Sequence, residues 1–374
     1  MTSKKRLELN KSKLRWHGGR VKAWRERFRI APITVDLALT QSCNYKCVYC
    51  YGQLQQQPDL KSWTWDMIRT TFDDFAEIGV KAVSLISDGE STCNRRYVDA
   101  IRHARLNGLD VALGTNGYLL DYEMLERILP NLTYLRFNIS AASEKLYEKV
   151  HGTKHLLNNA YLRVLQNVRD AVAIKQERNL DCTIGLQMVL MPSYIGQVIP
   201  LTYLAQGLGV DYLQIKHCSD DEKGSLGIDY HGYELFDETL YQAEALGNDE
   251  FQVIVKWDKI KAGNKRQYKA CLAPPFQLQI SGSGLVAPCG MFFHQRYFRY
   301  HIGSLHSQRF KDLWKSDRYW DVMETLAGPT FNAQVACGCL CLQDASNIYL
   351  NDLMVGKEGL ARDDQEPPAH INFI

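Results

Sequence analysis

The sequence predicts an α/β fold: a partial (β/α)6 TIM-type barrel followed by a small cysteine-rich domain. Three observations carry this. Strand-like and helix-like patterns alternate between residues 33 and 218, giving six strands in series. Strands joined in series by helices need a parallel sheet with right-handed crossovers. After residue 266 the pattern changes to short strand-like pieces, glycines and cysteines.

Each element has its own signal. Ile33, Val35, Leu37 and Leu39 alternate along the first strand, 33–39, the period of a pleated chain. Trp65, Ile68, Phe72, Phe75 and Ile78 recur at helical spacing behind Thr64, a suitable N-cap. A short apolar strand follows at 82–86. Tyr97, Ile101 and Ala104 mark the second helix, which Gly108 ends. The pattern then gives a strand at 111–113 and a helix at 124–129, a strand at 135–139 and a long helix within 161–178. A strand at 183–190, a helix at 198–206 and a strand at 212–215 complete the series. The expected divisions are a basic extension (1–32), the barrel (33–218), a linker region (219–265), the cysteine-rich domain (266–345) and a C-terminal extension (346–374). Six units rather than eight predict an open barrel. Polar residues at the C-terminal strand ends are the expected site lining.

Length and composition set the bounds. At 374 residues the chain exceeds one ordinary core, so an appendage is expected. It has no run of about 18 apolar residues, so no membrane span is expected. The start carries charge without an apolar stretch, unlike a secretory signal. Eleven cysteines then read as reduced thiols in a cytoplasmic protein, and clustered thiols as metal ligands. The net charge of +2 hides an asymmetry. Residues 1–30 hold eleven Lys or Arg against Glu8 and Glu26, a net +9, which leaves −7 on the remainder. Such an arm fits either an anionic partner or packing against an acidic surface.

The first strand runs into Cys43-Asn-Tyr-Lys-Cys47-Val-Tyr-Cys50. Three thiolates at C-x3-C-x2-C spacing suit three corners of a cubane iron–sulfur cluster. Three ligands leave one iron open to a small chelating molecule. Zinc is the rival, but a structural zinc takes four ligands and no nearby residue supplies the fourth.

This loop, with Tyr49 before its last cysteine, resembles the signature of the radical S-adenosylmethionine (SAM) superfamily. The resemblance spans roughly residues 33–345. It implies a [4Fe–4S] cluster whose open iron binds the amino and carboxylate groups of SAM. One electron, from an external donor of flavodoxin or ferredoxin type, then cleaves SAM to methionine and a 5′-deoxyadenosyl radical. That radical takes a hydrogen from the substrate. The resemblance also implies SAM contacts. Ser87-Asp88-Gly89-Glu90 stands where the family usually has Gly-Gly-Glu. Asp88 replaces the first glycine, and Glu90 keeps the acid that meets the methionine ammonium. Thr115-Asn116-Gly117 is similar to a family segment after the third strand. Asn138 and Ser140 end the fourth strand and suit a ribose or a carboxylate. Gln187 on the fifth strand and Lys216 at the end of the sixth complete the set.

A second cysteine group follows. Cys271, twelve residues, Gly284, four residues and Cys289 look like the start of the SPASM or twitch extension found after some radical SAM barrels. The stretch between the cysteines reads as two short strands around a Gly-Ser-Gly turn. Cys337, Cys339 and Cys341 close the region. Five cysteines suit one auxiliary [4Fe–4S] cluster, held by Cys271, Cys289 and two of the last three. A four-thiolate zinc is the alternative. For the substrate, the resemblance leads with a ribosomally made peptide. The basic arm, with Trp16, Trp24 and Phe28 among its cations, keeps a nucleic-acid base open, and a sugar or other small metabolite is the third reading.

Overall fold

A computed structural model describes residues 7–8, 12–55, 61–153, 159–262, 265–338, 341–361 and 366–374. Ten strands form one sheet: β1 (Thr34–Leu37), β2 (Ala82–Leu85), β3 (Asp110–Thr115), β4 (Tyr134–Asn138), β5 (Thr183–Leu190), β6 (Tyr212–His217), β7 (Gln252–Val255), β8 (Gln277–Ile280), β9 (Leu285–Ala287) and β10 (Gly303–Ser304). Their order is β10-β9-β8-β1-β2-β3-β4-β5-β6-β7. Pairing is parallel from β8 through β1 to β7. The pairs β8–β9 and β9–β10 are antiparallel.

The six expected strands are present in order. A seventh, β7, extends the parallel run out of the charged stretch read as a linker. Gln-Val-Ile-Val is four residues long, too short to show a period. The hairpin β8–β9 also does more than expected. Its first strand pairs with β1, Thr34 opposite Gln277, so the cysteine-rich region continues the barrel sheet. Among the described residues no ladder joins β7 to β8, and the barrel stays open. Gln343 holds the hairpin, donating through Nε2 to the Gln277 and Pro288 carbonyls at 2.6 and 3.0 Å.

The strand alternation separates two environments. Val35, Leu37, Val83, Leu85, Leu135, Phe137, Leu186 and Leu213 belong to the main apolar core. The intervening residues Asp36, Ser84, Arg136, Asn138, Gln187, Gln214 and Lys216 line a central cavity. The helix Trp65–Ile78 buries Ile68, Phe72 and Phe75. The Thr64 hydroxyl caps it, accepting from the Met67 amide at 3.3 Å.

The basic arm folds onto the body. Leu14, Val21, Ile30 and Ile33 form a second apolar cluster with Phe276, Tyr349, Leu350 and Leu353. The C-terminal segment crosses the N-terminal ends of the barrel strands. Lys13 Nζ donates to the carbonyls of Ala369 and His370 at 3.1 and 3.0 Å. Thr34 Oγ1 donates to the Asn372 carbonyl at 2.5 Å, and Phe373 packs edge-on against Tyr134 at 4.9 Å.

Two glycines close on one backbone group. A Cβ at Gly89 would stand 1.9 Å from the Thr40 carbonyl oxygen, and one at Gly282 would stand 2.1 Å from the Thr40 carbonyl carbon. Both obstacles are backbone, so neither yields by a rotamer change. Gly282→Ala is expected to lower stability by about 1–3 kcal/mol, the usual cost of overpacking. Gly19→Ala, where the new Cβ meets nothing within 4 Å, is the control. Denaturant unfolding of the two variants measures the difference.

Candidate active site

The cysteine loop leaves β1 at its C-terminal end and is fixed from three sides. Asp88, in the turn after β2, is buried. It accepts from Gln41 Nε2 at 3.2 Å, from Ser281 Oγ at 2.5 Å and from the Gly282 amide at 2.8 Å. On the far side, Lys46 N donates to the His151 carbonyl at 3.2 Å and Val48 N to the Val150 carbonyl at 2.9 Å. Asp88, where the family usually has glycine, therefore ties the loop to the β8–β9 turn.

Cys43, Cys47 and Cys50 share this loop as free thiols. Burial, then the neighbouring Cys50 and Cys43, holds the Cys47 thiol well above its ordinary range. Among the described residues no three His, Cys, Asp or Glu side chains converge as ligands of a single ion. Three thiols close enough to feel one another suit a cluster in which each cysteine takes a separate iron.

His151 is a site residue that sequence reasoning missed. Its Nε2 lies 3.0 Å from the Ser140 amide. That amide can only donate, so Nε2 accepts and the neutral ring carries its proton on Nδ1. Nδ1 stands 3.4 Å from both Cys47 Sγ and the Tyr49 hydroxyl. Burial lowers the His151 pKa to about 3, which keeps the ring neutral. The ring stacks on Tyr147 at 4.2 Å. The available signal was a His just before Gly152, the left-handed C-cap of the helix Glu144–His151.

Glu90 is buried under four donors. Oε1 accepts from Thr92 N, Thr92 Oγ1 and Thr115 Oγ1 at 3.1, 2.8 and 2.9 Å. Oε2 accepts only from the Asn116 amide at 2.8 Å, so it keeps acceptor capacity. Burial raises the Glu90 pKa even so. Asn116 Nδ2 reaches Asn44 Oδ1 at 2.8 Å, which links the turn after β3 to the cysteine loop. Gly89 is placed for its backbone contact with Thr40. Asn138 and Gln187 are joined, Nε2 to Oδ1, at 2.9 Å, and with Tyr49 and Lys216 they line the cavity. Ser140 Oγ accepts from the Val189 amide at 3.1 Å, so it braces the site from behind.

Cys271, Cys289, Cys337 and Cys341 form the second group. Burial raises the Cys271 thiol, and Cys341, Cys337 and Cys289 raise it further. Cys339 lies outside the described residues. Asn347, also unforeseen, donates through Nδ2 toward Cys271 Sγ at 3.6 Å and Cys341 Sγ at 3.7 Å. Arg266 donates to the carbonyls of Ala333 and Gly338; burial pulls its pKa down, but Cys337, Cys341, Tyr268 and Asp344 together raise it. The cavity of about 380 Å³ runs from Cys50 and Tyr51 to Leu342, Gln343 and Ser346, beside this group.

Comparison with known proteins agrees with this geometry. The radical SAM superfamily model matches residues 37–191. The model of an iron–sulfur cluster-binding domain, SPASM, matches residues 271–341. The chain belongs to the radical SAM superfamily. As a radical SAM enzyme with a C-terminal SPASM domain, it uses a SAM-binding [4Fe–4S] cluster and an auxiliary iron–sulfur cluster. It is 24% identical over 306 residues to the AdoMet-dependent heme synthase of Methanosarcina barkeri, covering 76% of this chain and 83% of that protein. It is 25% identical over 205 residues to the PqqA peptide cyclase of Bradyrhizobium diazoefficiens, covering 54% of this chain and 48% of that protein. In fold it is similar to Streptococcus suis SuiB bound to S-adenosylmethionine, with a TM-score of 0.61, 15% identity and coverage of 92% of this chain and 79% of SuiB. No helix among the described residues is long and apolar enough to cross a membrane.

Two outcomes follow for the radical SAM site. Anaerobically reconstituted protein is expected to hold about eight irons, and replacing Cys43, Cys47 and Cys50 together by Ala to leave roughly half. Iron assay and cluster absorption measure this. Glu90→Gln should weaken SAM binding by about 1.5–3 kcal/mol, the cost of one charged hydrogen bond. Equilibrium binding of SAM to the reconstituted variant checks it, and unchanged affinity assigns the ammonium to another acid.

Proposed function

We propose that this radical SAM enzyme takes a hydrogen atom from one side chain of a ribosomally made peptide. The observation that carries the reading is the cavity. Its volume of about 380 Å³ suits a side chain. It lies between the two cysteine groups, so a substrate there stands close to both. SuiB, similar over 94% of this chain with a TM-score of 0.59, has been solved with its precursor peptide SuiA.

Four of the eleven cations of the arm are engaged within the chain. Lys13 is buried under the C-terminal segment. Arg15 pairs with Glu358 at 3.1 Å and Arg29 with Asp317 at 2.9 Å. Arg20 donates to the Gly79 carbonyl at 3.0 Å. Cations used in this way are not offered to phosphates.

In this reading Cys43, Cys47 and Cys50 hold the SAM cluster. Cys271, Cys289, Cys337 and Cys341 hold the auxiliary one. The SAM cluster supplies one-electron cleavage of SAM and the hydrogen abstraction that follows, with an external flavodoxin- or ferredoxin-type protein as electron source. The chain's own residues position and shield. Glu90 Oε2 receives the SAM ammonium. Asn138 and Gln187 offer amide groups to the ribose. Tyr49 and His151 pack against the Cys47 thiol and exclude water from it. The backbone clamp on Thr40 keeps the loop from shifting when the ligand binds.

With SAM and dithionite under anaerobic conditions, short peptides encoded beside the gene should stimulate 5′-deoxyadenosine formation and lose hydrogen mass. Coupled chromatography and mass spectrometry read both. Stimulation by an oligonucleotide or a small metabolite, and by no peptide, refutes the peptide assignment.

A further inference from the structure

The barrel interior carries an unusual charge distribution. Five basic side chains line the cavity, Lys13, Arg136, Lys216, Lys256 and Lys259, against the side-chain carboxylates of Glu8 and Asp36, and Ile374 at the C-terminus lines it too. Asp36 is already engaged, accepting from Gln277 Nε2 and Gln279 Nε2 at 3.0 and 3.1 Å. Lys13 is spent on two carbonyls of the C-terminal segment. Arg136, Lys216, Lys256 and Lys259 remain. Among the described residues none of these four has an ion-pair partner within 4.0 Å. Arg136 NH1 makes one long contact, 3.4 Å to Gln214 Oε1, and its buried Nε has no partner.

These cations share one wall. Lys216 stands one residue before the end of β6, and the Lys256 amide donates to the Ile215 carbonyl at 2.8 Å, so Lys256 follows β7 at the same level. Arg136 sits two residues below Asn138 on β4. Lys259 stands on the helix Trp257–Ala262, close enough to Cys341, Asp344 and Cys289 to feel their charge. Cations gathered around a low-dielectric cavity repel one another, and an anionic ligand relieves that repulsion.

We propose that the wall formed by Arg136, Lys216, Lys256 and Lys259 is an oxyanion site that binds a carboxylate or phosphate group of the substrate. The inference rests on reading this cavity as the substrate site of a radical SAM enzyme, and it names the chemistry that substrate must carry. In a peptide, the anion is an acidic residue near the one that loses hydrogen. It docks on the side of the cavity that runs from β4 to β7 and the helix after it. The guanidinium gives it two parallel donors, and the ammonium groups give it point charges.

The mutual repulsion is visible in the lysines. Burial, then Arg136 and Lys259, lowers the Lys216 pKa to about 7, with Cys218 opposing. Burial, then Lys259, does the same to Lys256, where Asp258 opposes and Lys216 and Lys13 assist. The empty site therefore loses positive charge as pH rises through about 7, and anion affinity falls with it. A bound anion favours the charged lysines and takes up protons on binding near that pH.

The test uses the anaerobically reconstituted full chain and two probes, citrate and inorganic pyrophosphate, titrated by calorimetry at pH 6.5 and 8.5. One probe per chain is expected, with each probe displacing the other and binding more weakly at pH 8.5. Arg136→Gln and Lys256→Gln should each cost about tenfold or more in affinity, and Lys256→Arg should retain it. Iron content and thermal unfolding confirm that the variants are folded. Tighter citrate binding identifies a carboxylate-bearing substrate, and tighter pyrophosphate binding a phosphate-bearing one. Absence of binding of both probes at millimolar concentration overturns the proposal. So does binding that both Gln variants leave unchanged. Probe binding that is lost in the Gln variants, in a protein that no peptide stimulates, keeps the oxyanion site and refutes the peptide assignment alone.

Discussion

The buried carboxylate of Asp88 is the tie on which the catalytic end depends. It holds Gln41 of the cysteine loop with one oxygen, and Ser281 and Gly282 of the β8–β9 turn with both. A buried carboxylate is tolerated only when its acceptor sites are filled, and three donors fill them here. The two glycines on either side let three backbones meet at Thr40 without side chains between them. The radical SAM motif and the SPASM hairpin are thus one rigid assembly, with a parallel β1–β8 ladder beneath it. This tie and that ladder join the first cysteine loop to the hairpin that precedes Cys289.

Much of this was legible in the sequence, and the reasons are local. The first six strands showed themselves because alternation such as Ile33, Val35, Leu37 is a period-two signal within one segment. The helix Trp65–Ile78 showed itself through its apolar spacing and its Thr64 cap. The cysteine loop was legible because its three ligands lie within eight residues. What stayed hidden depends on partners far along the chain. The role of Asp88 is set by Ser281, 193 residues away. His151 meets Cys47 across 104 residues, and Asn347 meets Cys271 across 76. Single-residue spacing carries no trace of such encounters. β7 was missed for another reason: four apolar-rich residues in a charged stretch fit a helix, a strand or a loop equally well.

The cavity wall was partly readable. Asp36, Arg136, Gln214 and Lys216 each alternate with buried apolar neighbours on their strands. In an open sheet that pattern means a solvated face. In a barrel it means a polar lumen, because the two faces of the sheet are then helix-side and inside. The sequence showed the alternation, while the curvature of the open sheet that turns its polar face inward is set by strand pairings between distant segments, β8 with β1 among them. Lys256 and Lys259 joined that wall only through β7.

The tie at Asp88 also orders events during synthesis. A ribosome delivers the first cysteine loop early, yet the residues that clamp it, Ser281 and Gly282, emerge more than two hundred residues later. The segment that crosses beneath the strands, bonded to Thr34 from Asn372 across 338 positions, emerges later still. Contacts this distant form slowly, because loop closure must come before any reward from the contact. For much of its time on the ribosome the nascent chain therefore presents three soft thiols on an unsecured strand end. The clamp on the loop forms only once Ser281 and Gly282 have been made. Until then, protection of those thiols from oxidation falls to the cell and not to the fold.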